Sequence, residues 1–202
     1  MIKRTFDCLL AAGGLVASAP LWALLAIAIK LEDGGPIFFR QSRVGLGGRE
    51  FDALKFRSMV PDAEAQTGPV QAAEHDPRVT RVGRVMRSTA LDELPQLWNI
   101  FAGDMSFVGP RPLRPGEMEV RGDGRLVPLD QIPGYAARHS VRPGLTGLTQ
   151  VYASRDISRT SKFRLDQVYL RRAGFWLDVR LILLSFWITG TGAWEKRNRR
   201  VP

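Results

Sequence analysis

From Cys8 to Ile29 the chain reads CLLAAGGLVASAPLWALLAIAI, an apolar run without a charge, bounded by Lys3, Arg4 and Asp7 before and Lys30, Glu32 and Asp33 after. A helix of that length crosses a hydrocarbon core of roughly 30 Å. Pro20 stands near the middle of the run. There it removes a backbone donor and presses its ring against the carbonyl of Val16, so a kink or break into two short arms is predicted. Basic residues flank both ends, Lys3 and Arg4 on one side and Lys30, Arg40 and Arg43 on the other. They give no asymmetry that would place the ends on opposite faces of a membrane. Two arrangements satisfy these facts, a helical hairpin that enters and leaves by the same face and an ordinary kinked spanning helix. A cleaved signal peptide is the third; the run is long for one, and the basic, cysteine-free remainder does not resemble an exported domain.

After Gly34-Gly35-Pro36, IFFRQSRV and REFDALKFRSM flank GLGG, two aromatic and aliphatic segments around a glycine turn, which predicts a β-hairpin. Residues 61–85 are polar and without clean periodicity, with a turn expected at Asp76-Pro77, and read as a surface segment. Thr89 as a hydroxyl cap, acids in the following turn and apolar Leu94, Leu97, Trp98 and Phe101 predict an amphipathic helix that ends near Gly103. Residues 162–188 are apolar at helical spacing, with Gly174 as a break between two helices. The second carries Phe175, Trp176, Phe186 and Trp187 and suits either a membrane interface or the core. No repeat or low-complexity segment is visible.

Composition narrows the picture. In 202 residues there is room for one ordinary functional unit. The 29 Lys and Arg against 20 Asp and Glu leave a net charge of +9, which calls for a polyanionic partner: nucleic acid, anionic lipid or a phosphorylated substrate. The single cysteine, Cys8, excludes an internal disulfide, and His75 and His139, one in each region, make a zinc site a poor fit. The basic tail Glu195-Lys196-Arg197-Asn198-Arg199-Arg200 suits anionic headgroups or plain solvation.

Taken in order, Lys3-Arg4-Thr5-Phe6-Asp7, GPIFFRQSRVG, KFRSM, LDELPQLWNIFAGDMSFVGPRP and VRPGLTGLTQV, continued by Leu165-Asp166, Tyr169, Trp176 and Asp178, resemble the bacterial monotopic phosphoglycosyl transferases over nearly the whole chain. These enzymes start the assembly of capsule, O-antigen, exopolysaccharide and glycoprotein glycans. The resemblance implies an α/β, mostly helical fold. Residues 1–34 would form a re-entrant membrane helix kinked at Pro20. Residues 35–202 would form a catalytic body with a small β-hairpin and interfacial amphipathic helices, on the cytoplasmic face of the inner membrane. The family kinks at a Ser-Pro pair; here Ala19 precedes Pro20 and Ser18 is one position early.

The same resemblance makes Asp92 the nucleophile and Glu93 its partner at a Mg2+ site. By position alone the two are first-turn acids that favour a helix N-terminus. The substrates implied are a nucleotide sugar, with uridine as the expected nucleoside, and a polyprenol phosphate. A carboxylate that attacks the sugar-bearing phosphate splits one difficult transfer into two through an acyl-phosphate enzyme. Each step brings anions together, so arginines and a divalent cation are needed. Arg87, Arg111 in GPRP, Arg138 and Arg142 in VRPG are candidates for phosphate binding, because a guanidinium presents a planar fork of donors to an oxyanion. The family's arginine-bearing turn after Gln150-Val151 aligns with Ser154, and Arg155 is adjacent. The Gly144, Thr146 and Gly147 turn offers backbone amides to a phosphate or is simply structural.

Two readings from other classes compete. A membrane-anchored nucleic-acid-binding protein would explain the charge, but no helix-turn-helix, zinc-finger or RNA-recognition signature is present. A non-catalytic scaffold would be expected to lose the acids or the arginines, which are retained. The sequence leaves the sugar, the glycan and the pairing of two chains into a homodimer open.

Overall fold

A computed structural model of the chain describes residues 2–63, 76–120, 124–154 and 157–191. The elements are α1 (Ile2–Asp33), β1 (Phe38–Val44), β2 (Glu50–Phe56), α2 (Arg81–Ser88), α3 (Gln96–Ala102), β3 (Ser106–Val108), β4 (Met118–Val120), β5 (Leu126–Pro128), α4 (Tyr135–Arg138), β6 (Gly144–Thr146), α5 (Leu148–Tyr152), α6 (Arg159–Arg172) and α7 (Phe175–Gly190). The fold is mostly helical, and the strands form three separate two-stranded sheets, β1-β2, β3-β6 and β4-β5.

α1 runs as one helix from Ile2 to Asp33 with Pro20 inside it, so the proline does not break it into two separate helices. The proline costs a single ladder bond, and the apolar run has good helix formers on both sides to carry the helix across that loss. Ser18, the hydroxyl nearest the proline, donates to Gly14 O at 2.7 Å, one turn back, and not to Val16 O. Such back-bonding bends helices rather than breaking them.

Both ends of α1 are tied to the same body. At the start, Lys3 pairs with Asp178 of α7 and donates to Val108 O at 3.1 Å. Arg4 donates to Phe101 O at 2.7 Å, and the buried Asp7 carboxylate accepts from Phe107 N at 3.2 Å. At the end, the Glu32 carboxylate accepts from Arg81 N (2.6 Å) and Val82 N (3.1 Å), capping α2 from outside, and Asp33 pairs with Arg57. Between these ties only 6% of the most apolar stretch is buried. A core helix would be covered, and so would a large apolar patch on a water-soluble protein. α1 therefore has the length and the uncovered apolar surface of a membrane anchor, and its tethered ends make it part of the fold rather than a removable leader.

The predicted hairpin forms: β1 pairs antiparallel with β2 from Phe38↔Phe56 to Val44↔Glu50. Its turn passes through Gly47 and Gly48 at φ 65° and 81°, the left-handed region that glycine tolerates. The helix expected from Thr89 to Gly103 is replaced by α2, a 3-10 turn over Leu91–Glu93, and α3. Thr89 closes α2 instead of opening a helix, its hydroxyl donating to Val85 O at 2.8 Å. Ala90 then takes a left-handed φ of 56°, and Pro95 sits immediately before α3, where a missing N–H has no helical partner to lose. α2 itself begins inside the segment read as a polar surface stretch; Thr80 caps it by accepting from Gly83 N at 2.9 Å. The Asp76-Pro77 turn is present, with Arg78 N donating to the Asp76 carboxylate.

The break at Gly174 separates α6 from α7 as expected. α7 is two-faced: Leu181, Ile182 and Ile188 are buried, whereas Trp176, Leu183, Phe186 and Trp187 are exposed, joined on α3 by Trp98 and Phe101. The main core lies under the first half of α1, where Ala11 meets Leu97, Ile100, Met105, Phe107 and Val108 together with Tyr169 and Leu181. A second cluster packs Ile29, Trp22 and Leu25 of α1 on Phe56 and Met86. The anchor and the body thus share their hydrophobic cores. The tail from residue 195 lies outside the described residues.

Candidate active site

Asp92 and Glu93 sit on the 3-10 turn between α2 and α3, where the left-handed Ala90 and Pro95 on either side prevent a longer helix. The turn places both acids against β2. Lys55 Nζ reaches Glu93 Oε1 at 2.6 Å, and Arg111 Nη2 reaches the same oxygen at 2.7 Å. Burial pulls the Glu93 carboxyl up, but Arg111 and Lys55 outweigh it and hold the group well below the usual carboxylate range. The Arg111 guanidinium is held protonated in return.

Asp92 is in a different state one residue away. It is buried, and that burial pushes its carboxyl up to about 6 against the opposing pull of Lys55, with Arg87 and Arg111 helping Lys55. Two adjacent carboxylates with their proton affinities driven apart are the kind of pair that active sites use. Asp92 is a carboxylate under-compensated by the chain's own cations, and Glu93 has its second oxygen free of the Lys55 and Arg111 contacts. Among the described residues no cluster of three or more His, Cys, Asp or Glu exists, and Asp92 and Glu93 are two adjacent carboxylates.

The Arg111 loop is held in an unusual way. Pro110 and Pro112 have no N–H, so the segment is fixed through its carbonyls. Pro110 O accepts from Gly144 N (3.0 Å), Arg111 O from Arg138 Nη2 (2.7 Å), Pro112 O from Arg43 Nη1 (3.1 Å) and Leu113 O from Val44 N (2.9 Å). Gly109 permits the approach, since a Cβ there would lie 2.4 Å from Arg142 O. Gly144 and Gly147 are equally tight against Gly109, and the Gly144 amide is already spent on Pro110 O. The Gly144 amide is therefore not available to a phosphate, and the tight glycine contacts pack β6 against the Gly109 segment.

The arginines named from sequence separate. Arg111 touches Glu93, and Arg87, at the end of α2, acts on Asp92 through its charge. Arg138 is buried, donates through Nε to Asp166 Oδ2 at 3.0 Å and through Nη2 to Arg111 O at 2.7 Å, and lies 4.6 Å over the Phe163 ring, which places it behind the Arg111 loop. Arg142 donates to Gly103 O at 2.7 Å and lines a separate cavity of about 510 Å³ with Arg49, Glu50, Phe51 and Asp104. Arg155 lies outside the described residues.

Two cations were not picked out from the sequence. Lys55 was in view within KFRSM, and the two-residue period of β2 puts it on the same side as the buried Ala53. Arg43 lines the cleft beside Lys55, Gln96 and Arg111. Burial, with Arg111 and Arg114 nearby, lowers it to about 10, which leaves it charged at neutral pH.

Among known proteins the chain is 43% identical over 188 residues to an undecaprenyl-phosphate glucose phosphotransferase of Komagataeibacter xylinus, covering 91% of this chain and 35% of that protein. It is 43% identical over 188 residues to a UDP-glucose:undecaprenyl-phosphate glucose-1-phosphate transferase of Caulobacter vibrioides, covering 90% of this chain and 67% of that one. An exopolysaccharide production protein of Rhizobium leguminosarum bv. phaseoli is 38% identical over 187 residues, 90% of this chain and 92% of its own length. The chain thus spans about a third of the first relative and nearly all of the last. With its model matched over residues 1–192, the family described as bacterial sugar transferase is the one to which this chain belongs.

Proposed function

We propose that the chain moves a sugar 1-phosphate from a UDP-sugar onto undecaprenyl phosphate and releases UMP, an early membrane step of bacterial exopolysaccharide or lipopolysaccharide assembly. The observation that carries this reading is the buried Asp92–Glu93 pair facing Lys55 and Arg111, in a chain whose named relatives make that transfer.

In the first half-reaction an Asp92 carboxylate oxygen attacks the phosphorus that bears the sugar. The bond from that phosphorus to the bridging oxygen breaks and UMP departs with the electron pair, leaving an acyl phosphate that joins the sugar phosphate to Asp92. In the second, a phosphate oxygen of undecaprenyl phosphate attacks the same phosphorus and frees the carboxylate. Lys55, Arg111 and Arg87 offset the negative charge that gathers in each step, and Lys55 and Arg111 are oriented by Glu93 before substrate arrives. Asp92 and Glu93 fit a Mg2+ ion, which needs few protein oxygens and keeps several waters, and which when bound supplies charge neutralisation and alignment of phosphate oxygens.

The membrane placement follows the same support. One body grips both ends of α1, which supports a re-entrant helix that enters and leaves by one face; the proposed face for the body is the cytoplasmic one. Trp176, Phe186 and Trp187 on α7 and Trp98 on α3 lie at the interface, where indole rings are favoured. Every group named above comes from one chain, so a homodimer is not required to complete the site. Lys55, Arg43, Arg87 and Arg111 stand around an acid pair and a cleft, an arrangement that favours a phosphorylated small substrate over nucleic acid.

The test is incubation of the purified full chain with Mg2+ and a panel of UDP-sugars without lipid acceptor. At most one equivalent of UMP should appear, together with one sugar phosphate on the protein. Mass spectrometry should place the adduct on Asp92, and Asp92→Asn should remove both signals. An adduct on another residue, or normal turnover by Asp92→Asn, would reject the mechanism.

A further inference from the structure

Four consecutive carbonyls of the Pro110–Leu113 segment are each held by a donor, from β1, α4 and β6, and two of those donors are guanidinium groups. From this we infer that Arg43 and Arg138 are positioning residues that hold Arg111 on Glu93 from two sides. The inference rests on the reading above in which Arg111 serves the phosphoryl transfer.

The physical need is specific. Prolines at 110 and 112 remove two of the four amides with which the segment could tie itself down, and a side chain as long as arginine magnifies any freedom at its own backbone. Guanidinium groups suit the task because several donors diverge from one rigid plane, so that one group can bridge an anchor and a target. Arg138 bridges Asp166 Oδ2 and Arg111 O. Its anchor is fixed in turn by Thr149, whose hydroxyl donates to Asp166 Oδ1 at 2.7 Å. Arg43 bridges the Gln41 side chain and Pro112 O. Neighbouring Val44 bonds Leu113 O, so β1 holds two successive carbonyls.

The arrangement also accounts for residues that the transfer itself leaves unused. Arg138 and Asp166 form a buried ion pair, with the half-buried Thr149 bonded to the acid, and taking such charges out of water is costly. Arg43 is held close to Arg111 and Arg114 despite like charge. Its bond to Pro112 O gives that proximity a purpose.

A double-mutant cycle tests the proposal, with the full chain in membranes or detergent, UMP release as the readout and thermal unfolding as the control for folding. Arg111→Ala should lower kcat by about 10²–10³-fold. Arg43→Gln alone should lower kcat by at least about tenfold through misplacement, with little change in KM for the UDP-sugar. In the Arg111→Ala background the same Arg43→Gln change should cost less than about threefold, because residues that act through one another are not additive. Arg138→Gln combined with Asp166→Asn, which leaves no unpaired buried charge, should follow the same pattern. Equal factors in both backgrounds, or a loss confined to KM, would overturn the proposal and make Arg43 a direct substrate ligand. Undiminished turnover by Arg111→Ala would instead reject the role of Arg111 itself. If the Arg138 variant unfolds, the Arg43 cycle alone decides.

Discussion

Arg57 closes the far end of α1 by placing both of its terminal nitrogens on the Asp33 carboxylate. The guanidinium holds the Asp33 carboxyl down at about 2, so this tie persists at any pH the cell meets. The pair marks where the anchor rejoins the body, on the same body that Lys3, Arg4 and Asp7 grip at the other end.

The first prediction follows from those paired grips. Cysteines introduced at Lys3 and at Arg40 should both resist an impermeant thiol reagent on intact cells. Because the ends are fixed by the body, Pro20→Ala should leave both protected, although it restores a helix bond and relieves a clash worth about 3 kcal/mol. Labelling of the residue-3 site alone, in either protein, would show that α1 spans.

How much of this was legible in the sequence divides along physical lines. The anchor, the hairpin, the break at Gly174 and the acid pair were legible because each has a local signal: an uncharged run, a two-residue period, a glycine, a motif. The course from Thr80 to Gly103 was not. Thr89 is as good an acceptor-donor for closing a helix as for opening one, and which it does depends on where Val85 O lies. The role of Arg138 was hidden for a similar reason. The sequence places Arg138 near a motif, but its contact with Asp166, distant in sequence, has no local signal.

Gly83 supplies the second prediction. Alanine is ordinarily the better helix former by about 1 kcal/mol. At this position, however, a Cβ would lie 2.0 Å from Ser58 O, a backbone atom that cannot step aside. Gly83→Ala should therefore destabilise the protein by about 1–3 kcal/mol in denaturant unfolding. It should also reduce turnover, because α2 carries Arg87 at its end. A neutral or stabilising result would mean that α2 is free to move away from β2.

His139 makes a prediction about pH. Its ring is buried against Tyr135, its Nε2 has no partner among the described residues, and burial, aided by the Arg138 charge, lowers it to about 4. The folded protein keeps His139 neutral while the unfolded chain protonates near 6.5. Stability from this group is thus whole above about 6.5 and is lost as pH falls toward 4, by about 1–3 kcal/mol. The difference in stability between the wild type and His139→Leu should change across that window. A pH-independent difference would place the ring in contact with solvent.

The last prediction separates what Lys55 and Glu93 do for the fold from what they do for the reaction. Glu93 is the shared acceptor of Lys55 and Arg111, with only 17% of its side chain exposed, so Glu93→Gln leaves two cations facing each other without their anion. Breaking a buried pair from one side costs about 3 kcal/mol, while removing both partners together is often nearly neutral. Glu93→Gln should therefore lower the unfolding midpoint, and Lys55→Met combined with Glu93→Gln should recover much of it. Turnover should behave in the opposite way. The single Glu93 variant should be impaired and need more Mg2+, and the double variant should be worse, because it lacks both a cation that offsets the transferring phosphate and a carboxylate beside Asp92. If the double variant regained activity along with stability, Lys55 and Glu93 would be a structural pair, and the charge that balances Asp92 during transfer would have to be sought on Arg87 and Arg111 alone.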